Sequence, residues 1–190
     1  MELLEKRILE DGKVLSGDVI KVDSFLNQSI DTKLTDELAS EWARLFEGEG
    51  ITKVLTIEAS GIAIAAITAL KLGVPMVYAK KRKSVPSSDN TYSTKVVSYT
   101  HGISYNVTVD KPLISSGDKV LIVDDFLANG SALRALISIV EAAGAKVVGC
   151  GIAIEKAFLR GGDNIRKRGY RIESLAKIKS VSSDGKIEFC

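Results

Sequence analysis

Val120-Leu121-Ile122-Val123-Asp124-Asp125-Phe126-Leu127-Ala128-Asn129-Gly130-Ser131-Ala132 is the stretch on which the fold turns. Four consecutive apolar, mostly β-branched residues predict a strand buried on both faces, the kind found inside a parallel sheet. Two adjacent carboxylates then mark its carboxyl end, where open α/β sheets bind ligands. Side chains alternate across a strand, so neighbouring acids can act together only if the strand is already ending at Val123. A small-residue turn follows, then a helix with Leu133, Leu136, Ile137 and Val140 on one face and Gly144 as its stop.

The same grammar stands upstream. Lys53–Ile57 reads as a buried strand, Ala59-Ser60-Gly61 as a turn, Ile62–Leu72 as an apolar helix stopped by Gly73, and Val74–Ala79 as the next strand. Downstream, Lys146–Ile154 predicts another buried strand. Residues 51–155 thus predict an α/β fold with a doubly wound, mostly parallel sheet. Between the two units, Lys80–Asn90 has no periodicity and reads as a mobile loop, and the alternation Ile103, Tyr105, Val107, Val109 after Val96–Tyr99 predicts a β-hairpin turning at His101-Gly102. His101 is the only histidine and reads as a turn residue, and Tyr92, Tyr99 and Tyr105 as packing or dimer surface. The chain ends differ in kind. Residues 1–46 predict a short charged helix and a second helix, Thr35–Phe46, with Leu38, Trp42 and Leu45 on one stripe, and 156–190 read as an irregular strand-and-turn tail. Together they form a small hood over a single domain spanning 1–190.

Composition bounds the function classes. The chain has 190 residues, 26 basic and 24 acidic, for a net charge of +2. That balance argues against general attraction to nucleic acid or membrane, so anion binding must be local. No apolar run approaches the roughly 20 residues a bilayer crossing needs. Cys150 lies in an apolar strand and Cys190 is the last residue, too sparse for a disulfide framework, which predicts a reduced, cytoplasmic setting.

Asp124 and Asp125 can accept hydrogen bonds from a sugar diol or reach a cation. The small residues after them let backbone N–H groups close around an anion, and the following helix N-terminus adds a field of about 0.3–1 kcal/mol per charge. A diol reader followed at once by an anion cradle suits a ribose 5-phosphate. Paired acids at a strand end also occur in doubly wound phosphoacceptor domains, and the spacing alone leaves both readings open.

The stretch resembles the phosphoribosyl-pyrophosphate motif of type I phosphoribosyltransferases, nearest to the adenine and xanthine enzymes of that family. The likeness runs along the chain. Thr56-Ile57-Glu58-Ala59-Ser60-Gly61 stands where the family has its pyrophosphate loop, Lys80-Lys81-Arg82-Lys83-Ser84 where its flexible lid begins, and Ile154-Glu155-Lys156-Ala157-Phe158 where its base pocket lies. The resemblance implies that Asp124 and Asp125 hold the ribose hydroxyls and that Ala128, Asn129, Gly130, Ser131 and Ala132 bind the 5-phosphate. It further implies that Ala59, Ser60 and Gly61 offer backbone donors to pyrophosphate, and that Lys81 neutralises the departing charge. Mg²⁺ enters with phosphoribosyl pyrophosphate rather than on a site made by protein alone, and a homodimer is expected. Two departures stand out: hypoxanthine-guanine members carry an acid where this chain has Ala128, and Asn129 replaces a common Thr while keeping a donor.

Lys156 bears on the base. Its ammonium donates and never accepts, which favours a purine carbonyl over an exocyclic amine. The resemblance adds Ile20 and Asn27 as contacts covering the base and Phe158 as a stacking ring. Xanthine is the expected acceptor, with guanine, hypoxanthine or adenine as alternatives in the same class. The alternative from another class is a transcriptional regulator that senses phosphoribosyl pyrophosphate, and residues 1–46 mix charges of both signs without an obvious recognition helix.

Overall fold

The four residues Val120–Val123 are all fully buried, and they sit at the centre of the molecule because each neighbour of their strand is also apolar. A computed structural model describes residues 1–15, 19–83, 90–97 and 104–190. In chain order these form α1 (Glu2–Asp11), the short strands β1 (Lys13–Val14) and β2 (Ile20–Lys21), a π-helical turn (Asp23–Asn27), α2 (Thr32–Leu45), β3 (Lys53–Ile57), α3 (Gly61–Leu72) and β4 (Met76–Arg82). There follow β5 (Thr91–Val97), β6 (Ser104–Asp110), β7 (Lys119–Leu127), α4 (Ser131–Ala142), β8 (Lys146–Lys156), α5 (Gly161–Arg166), β9 (Ile172–Val181) and β10 (Ile187–Phe189).

The main sheet has eight strands in the order β10-β9-β8-β7-β3-β4-β6-β5. β9, β8, β7, β3 and β4 run parallel, and β10, β6 and β5 close the two edges antiparallel. From β3 the chain crosses to β4 on one side, and from β7 it crosses to β8 and β9 on the other. The order therefore reverses between β3 and β7, and a crevice opens outside their carboxyl ends.

Alternation along β7 divides the core into two layers. Val120 and Ile122 pack with Leu133, Leu136, Ile137 and Val140 of α4. Leu121 and Val123 pack with Ile64 and Ala65 of α3 and with Leu38 and Trp42 of α2. Truncating one fully buried residue such as Leu136 to Ala should cost about 2–5 kcal/mol. The sole tryptophan, Trp42, donates its Nε1–H to the Glu173 carbonyl at 3.2 Å and lies so close to β8 that a Cβ at Gly151 would stand 2.9 Å from the indole. α1 is tied to the other end of the chain by the Met1 ammonium, which donates to the Leu175 carbonyl.

The structure corrects three expectations about local order. The central strand runs on to Leu127 instead of ending at Val123, because its pairing with β8 continues through Asp124↔Ile152 and Phe126↔Ile154. Lys80–Arg82 belongs to β4, paired with Asn106–Thr108 of β6, so the lysine-rich segment starts as strand; residues 84–89 lie outside the described residues. The tail is no irregular appendage. β9 is a ten-residue strand pairing parallel with β8. The antiparallel pairing of β5 with β6 matches the expected hairpin, while its turn, with His101 and Gly102, lies outside the described residues. Among the described residues no helix is long and apolar enough to cross a membrane.

Candidate active site at the switch point

The crevice between β3 and β7 is built first by Asp124 and Asp125, only 5% and 9% exposed. Asp124 Oδ1 accepts the Asp125 N–H at 3.1 Å. Burial, then the neighbouring Asp125 charge, pushes the Asp124 carboxyl well above the ordinary range, and a hydrogen bond between the two carboxyls favours its protonated form. Although β7 runs on through both acids, the Asp125 side chain reaches Asp124 by charge and by a hydrogen bond, so the two carboxyls meet at one place and can together read a diol.

On the β3 side the chain turns at Glu58–Ser60 into α3, with the Glu58–Ala59 peptide in the cis form. A Cβ at Gly61 would stand 2.1 Å from Thr56 Oγ1 and 2.9 Å from Asp124 Oδ1, so only glycine lets this turn approach the acid pair. Thr56 Oγ1 is buried without a hydrogen-bond partner, and Glu58 Oε1 accepts the Lys81 N–H at 2.6 Å, which pins the end of β4 to the turn. The Lys81 ammonium lies 5.9 Å from the Tyr105 ring centroid, and its charge partly offsets the rise at Asp124. Tyr105 itself is pushed up by burial and by the Asp124 charge. β4 thus brings a cation, and β6 a phenol, within electrostatic reach of Asp124. Tyr105 packs, partly buried, against the core cluster that contains Val107 and Val109, as its alternation with them predicts.

On the far side of Asp125, Ala128–Gly130 forms a tight turn into α4, with Gly130 at φ +79°. Asn129 Oδ1 accepts the Ser131 N–H at 3.0 Å, so in this state the Asn129 side chain is used as an acceptor and its amide group remains the donor. α5 backs the turn. A Cβ at Gly161 would stand 2.1 Å from the Ala128 carbonyl oxygen, and one at Gly130 2.9 Å from Ile165 Cδ1.

The third wall is apolar with polar tips. Lys156, the last residue of β8, carries its ammonium 5.6 Å from the Phe126 ring centroid. Phe126 was not singled out from the sequence. Its ring and that of Phe158 pack on the cluster that contains the 5%-exposed Ile20 and the buried Phe25. Asn27 closes the π-helical turn, and its Oδ1 is buried without a hydrogen-bond partner. An acceptor left so costs about 1–3 kcal/mol, which a ligand N–H would recover. Arg7 steadies this turn, stacking 5.4 Å from the Phe25 centroid and pairing with Asp31 at 3.2 Å.

A family model described as "Phosphoribosyl transferase domain" matches residues 21–184. A xanthine phosphoribosyltransferase from Bacillus cytotoxicus is 51% identical over 189 residues, covering 100% of this chain and 95% of the relative. One from Bacillus cereus strain AH187 is 50% identical over 184 residues, covering 97% and 93%. Among solved structures, adenine phosphoribosyltransferase from Thermoanaerobacter pseudethanolicus superposes with a TM-score of 0.68 at 30% identity, covering 77% of this chain and 82% of that one. The Giardia lamblia enzyme complexed with 9-deazaadenine reaches 0.79 at 22% identity over 93% and 98%, a likeness of fold.

Proposed function

The chain belongs to the phosphoribosyl transferase family, and from that premise we propose that it is a purine-salvage enzyme. It moves the 5-phosphoribosyl group of phosphoribosyl pyrophosphate onto xanthine, forming XMP and pyrophosphate. The observation that carries this reading is the buried pair Asp124–Asp125, flanked by two small-residue turns at the switch point of a type I phosphoribosyltransferase fold. The pair takes the ribose hydroxyls. Ala128, Asn129, Gly130, Ser131 and Ala132 take the 5-phosphate, and Ala59, Ser60 and Gly61 take the pyrophosphate. Lys81 adds positive charge as pyrophosphate departs.

The hood, residues 1–46 with 156–190, covers the base. Phe158 and Phe126 face it with their rings, Ile20 packs over it, and Lys156 and Asn27 read its edge. Lys156 supplies a donor for a purine carbonyl, and the unpaired Asn27 Oδ1 supplies an acceptor for a ring N–H. A donor at Lys156 selects a 6-oxopurine over adenine. The C1–O bond to pyrophosphate breaks through an oxocarbenium-like state as the base nitrogen attacks from the opposite face. Catalysis is then mostly positioning and electrostatics. With alanine at position 128 no carboxylate receives the base proton, which leaves to water, or the anionic base enters.

Mg²⁺ entering with phosphoribosyl pyrophosphate would supply charge neutralisation on the leaving group. Asp124 and Asp125, toward the carboxyl end of β7, are the carboxylates that could reach it. The enzyme works as a cytoplasmic homodimer. Initial rates with xanthine, guanine, hypoxanthine and adenine, each with phosphoribosyl pyrophosphate and with or without Mg²⁺, test the proposal. Xanthine should lead, and the Asp124→Asn, Asp125→Asn double variant should be inactive. Absence of pyrophosphate release with every base, or full activity of the double variant, overturns it.

A further inference from the structure

Arg134 stands one turn into α4, directly behind the Ala128–Ala132 turn. Its backbone N–H donates to the Gly130 carbonyl at 2.9 Å. Its guanidinium donates from Nη1 to the Asn129 carbonyl at 2.8 Å and from Nη2 to Ser131 Oγ at 3.2 Å. One residue thus grips two successive carbonyls and a hydroxyl of the same turn.

In a trans peptide the C=O and the next N–H point in opposite directions. Holding the carbonyls of Asn129 and Gly130 on the Arg134 side therefore turns the N–H groups of Gly130 and Ser131 to the other side. The Ser131 N–H has already found an acceptor there, Asn129 Oδ1 at 3.0 Å. Gly130 makes room for the guanidinium, since a Cβ would stand 3.2 Å from Arg134 Nη1. The Arg134 side of the turn opens on a groove of about 230 Å³ whose lining includes Thr94, Lys95 and Ser138, so the guanidinium is not a core filler.

We infer that Arg134 is a positioning residue. Its fork sets the peptide orientation that lets the N–H groups of the Ala128–Ala132 turn converge on the 5-phosphate, and its charge adds to their field. This rests on the proposed use of that turn for the phosphate. It is independent of which base is accepted.

Arg134→Met and Arg134→Lys test it, with steady-state kinetics, calorimetric binding of ribose 5-phosphate, and thermal unfolding of each variant. Loss of two charge-assisted hydrogen bonds should raise KM for phosphoribosyl pyrophosphate and weaken ribose 5-phosphate binding by about tenfold or more, with KM for xanthine nearly unchanged. Lysine keeps the charge but not the fork, and should restore part of the loss. Should Arg134→Met fail to fold, Arg134→Lys carries the comparison. Unchanged ribose 5-phosphate affinity in a folded variant, even with a lowered melting temperature, overturns the inference. If the unaltered protein neither binds ribose 5-phosphate nor turns over any base, it is the proposed function that falls.

Discussion

Arg166 forks onto Glu155, Nη1 to Oε1 at 2.7 Å and Nη2 to Oε2 at 2.6 Å, at the carboxyl end of β8 where Glu155 is only 2% exposed. The Ser174 hydroxyl donates to the same carboxylate. Gly162 leaves space for the pair, since a Cβ there would stand 2.0 Å from Glu155 Oε1. The fork ties α5 to the strand that carries Lys156, so one ion pair holds together the backing of the Ala128–Ala132 turn and the wall beside Phe126.

Burial pushes the Glu155 carboxyl up, but hydrogen bonds from Arg166 and Ser174 outweigh it and hold Glu155 below the ordinary carboxylate range. Its folded-state pKa is depressed, so its contribution is present above the unfolded value and is lost as pH falls through the folded one. Glu155→Gln should cost about 2–3 kcal/mol at neutral pH, because it takes from the half-buried Arg166 the carboxylate it forks onto and leaves it the looser pair with Asp163 at 3.8 Å. The deficit should shrink below about pH 4. Urea unfolding followed by the fluorescence of Trp42 measures both.

Asp124 has the opposite sign. Burial and the Asp125 charge raise its folded-state pKa, so the stability it contributes is fully present below the unfolded pKa and is lost as pH rises through the folded value. At neutral pH the free protein therefore carries a penalty at its own acid pair. Asp124→Asn keeps an acceptor for the Asp125 N–H and removes the repulsion. It should raise stability by about 1 kcal/mol while abolishing turnover, a trade common at strained active sites. Denaturant midpoints at pH 5 and pH 8 check the sign, with the gain larger at pH 8.

What could be seen in advance was what is written locally. Val120–Ala132 carries strand, acid pair, tight turn and helix in one continuous run, so its reading survives without knowing any partner. The extension of β7 through the acids was not legible, because it depends on β8 offering Ile152 and Ile154 as partners. The length of β9 and its place in the parallel sheet are not legible for a similar reason: Ile172-Glu173-Ser174-Leu175-Ala176-Lys177 lacks strict alternation, and the strand in this tail is extended by pairing with β8. Tyr105 and Phe126 gain their place from the β4–β6 and β7–β8 registers, which join residues far apart in sequence. Arg134 looks like any polar helix residue until its side chain is seen folding back over the turn.

The two cysteines should separate cleanly by reactivity. Cys150 is fully buried in β8 and its thiol is pushed up to about 12 by burial, whereas Cys190 is exposed at the chain end. The thiolate is the reactive form, so a disulfide reagent at pH 8 should titrate one thiol per chain rapidly. The second should react only at the rate of unfolding. Two fast thiols in the native protein would contradict the burial of β8.

Gly161 makes the most exacting contact behind the Ala128–Ala132 turn. A Cβ there would stand 2.1 Å from the Ala128 carbonyl oxygen, 2.5 Å from the Asn129 carbonyl carbon and 2.7 Å from the Gly130 nitrogen. All three are backbone atoms, so no side-chain rotation relieves the clash and the turn itself must move. Gly161 touches the backs of Ala128–Gly130, and the turn would be driven toward the crevice. A displacement of about 1 Å in a positioning element can cost about 10²-fold in rate. Gly161→Ala should therefore lower kcat/KM for phosphoribosyl pyrophosphate by about that factor. The Glu155–Arg166 fork still holds α5, so the fold should persist with the near-native Trp42 emission of a buried indole. If the substitution left kcat/KM intact, the turn would not need the shape it has, and its role as a preformed anion cradle would be lost.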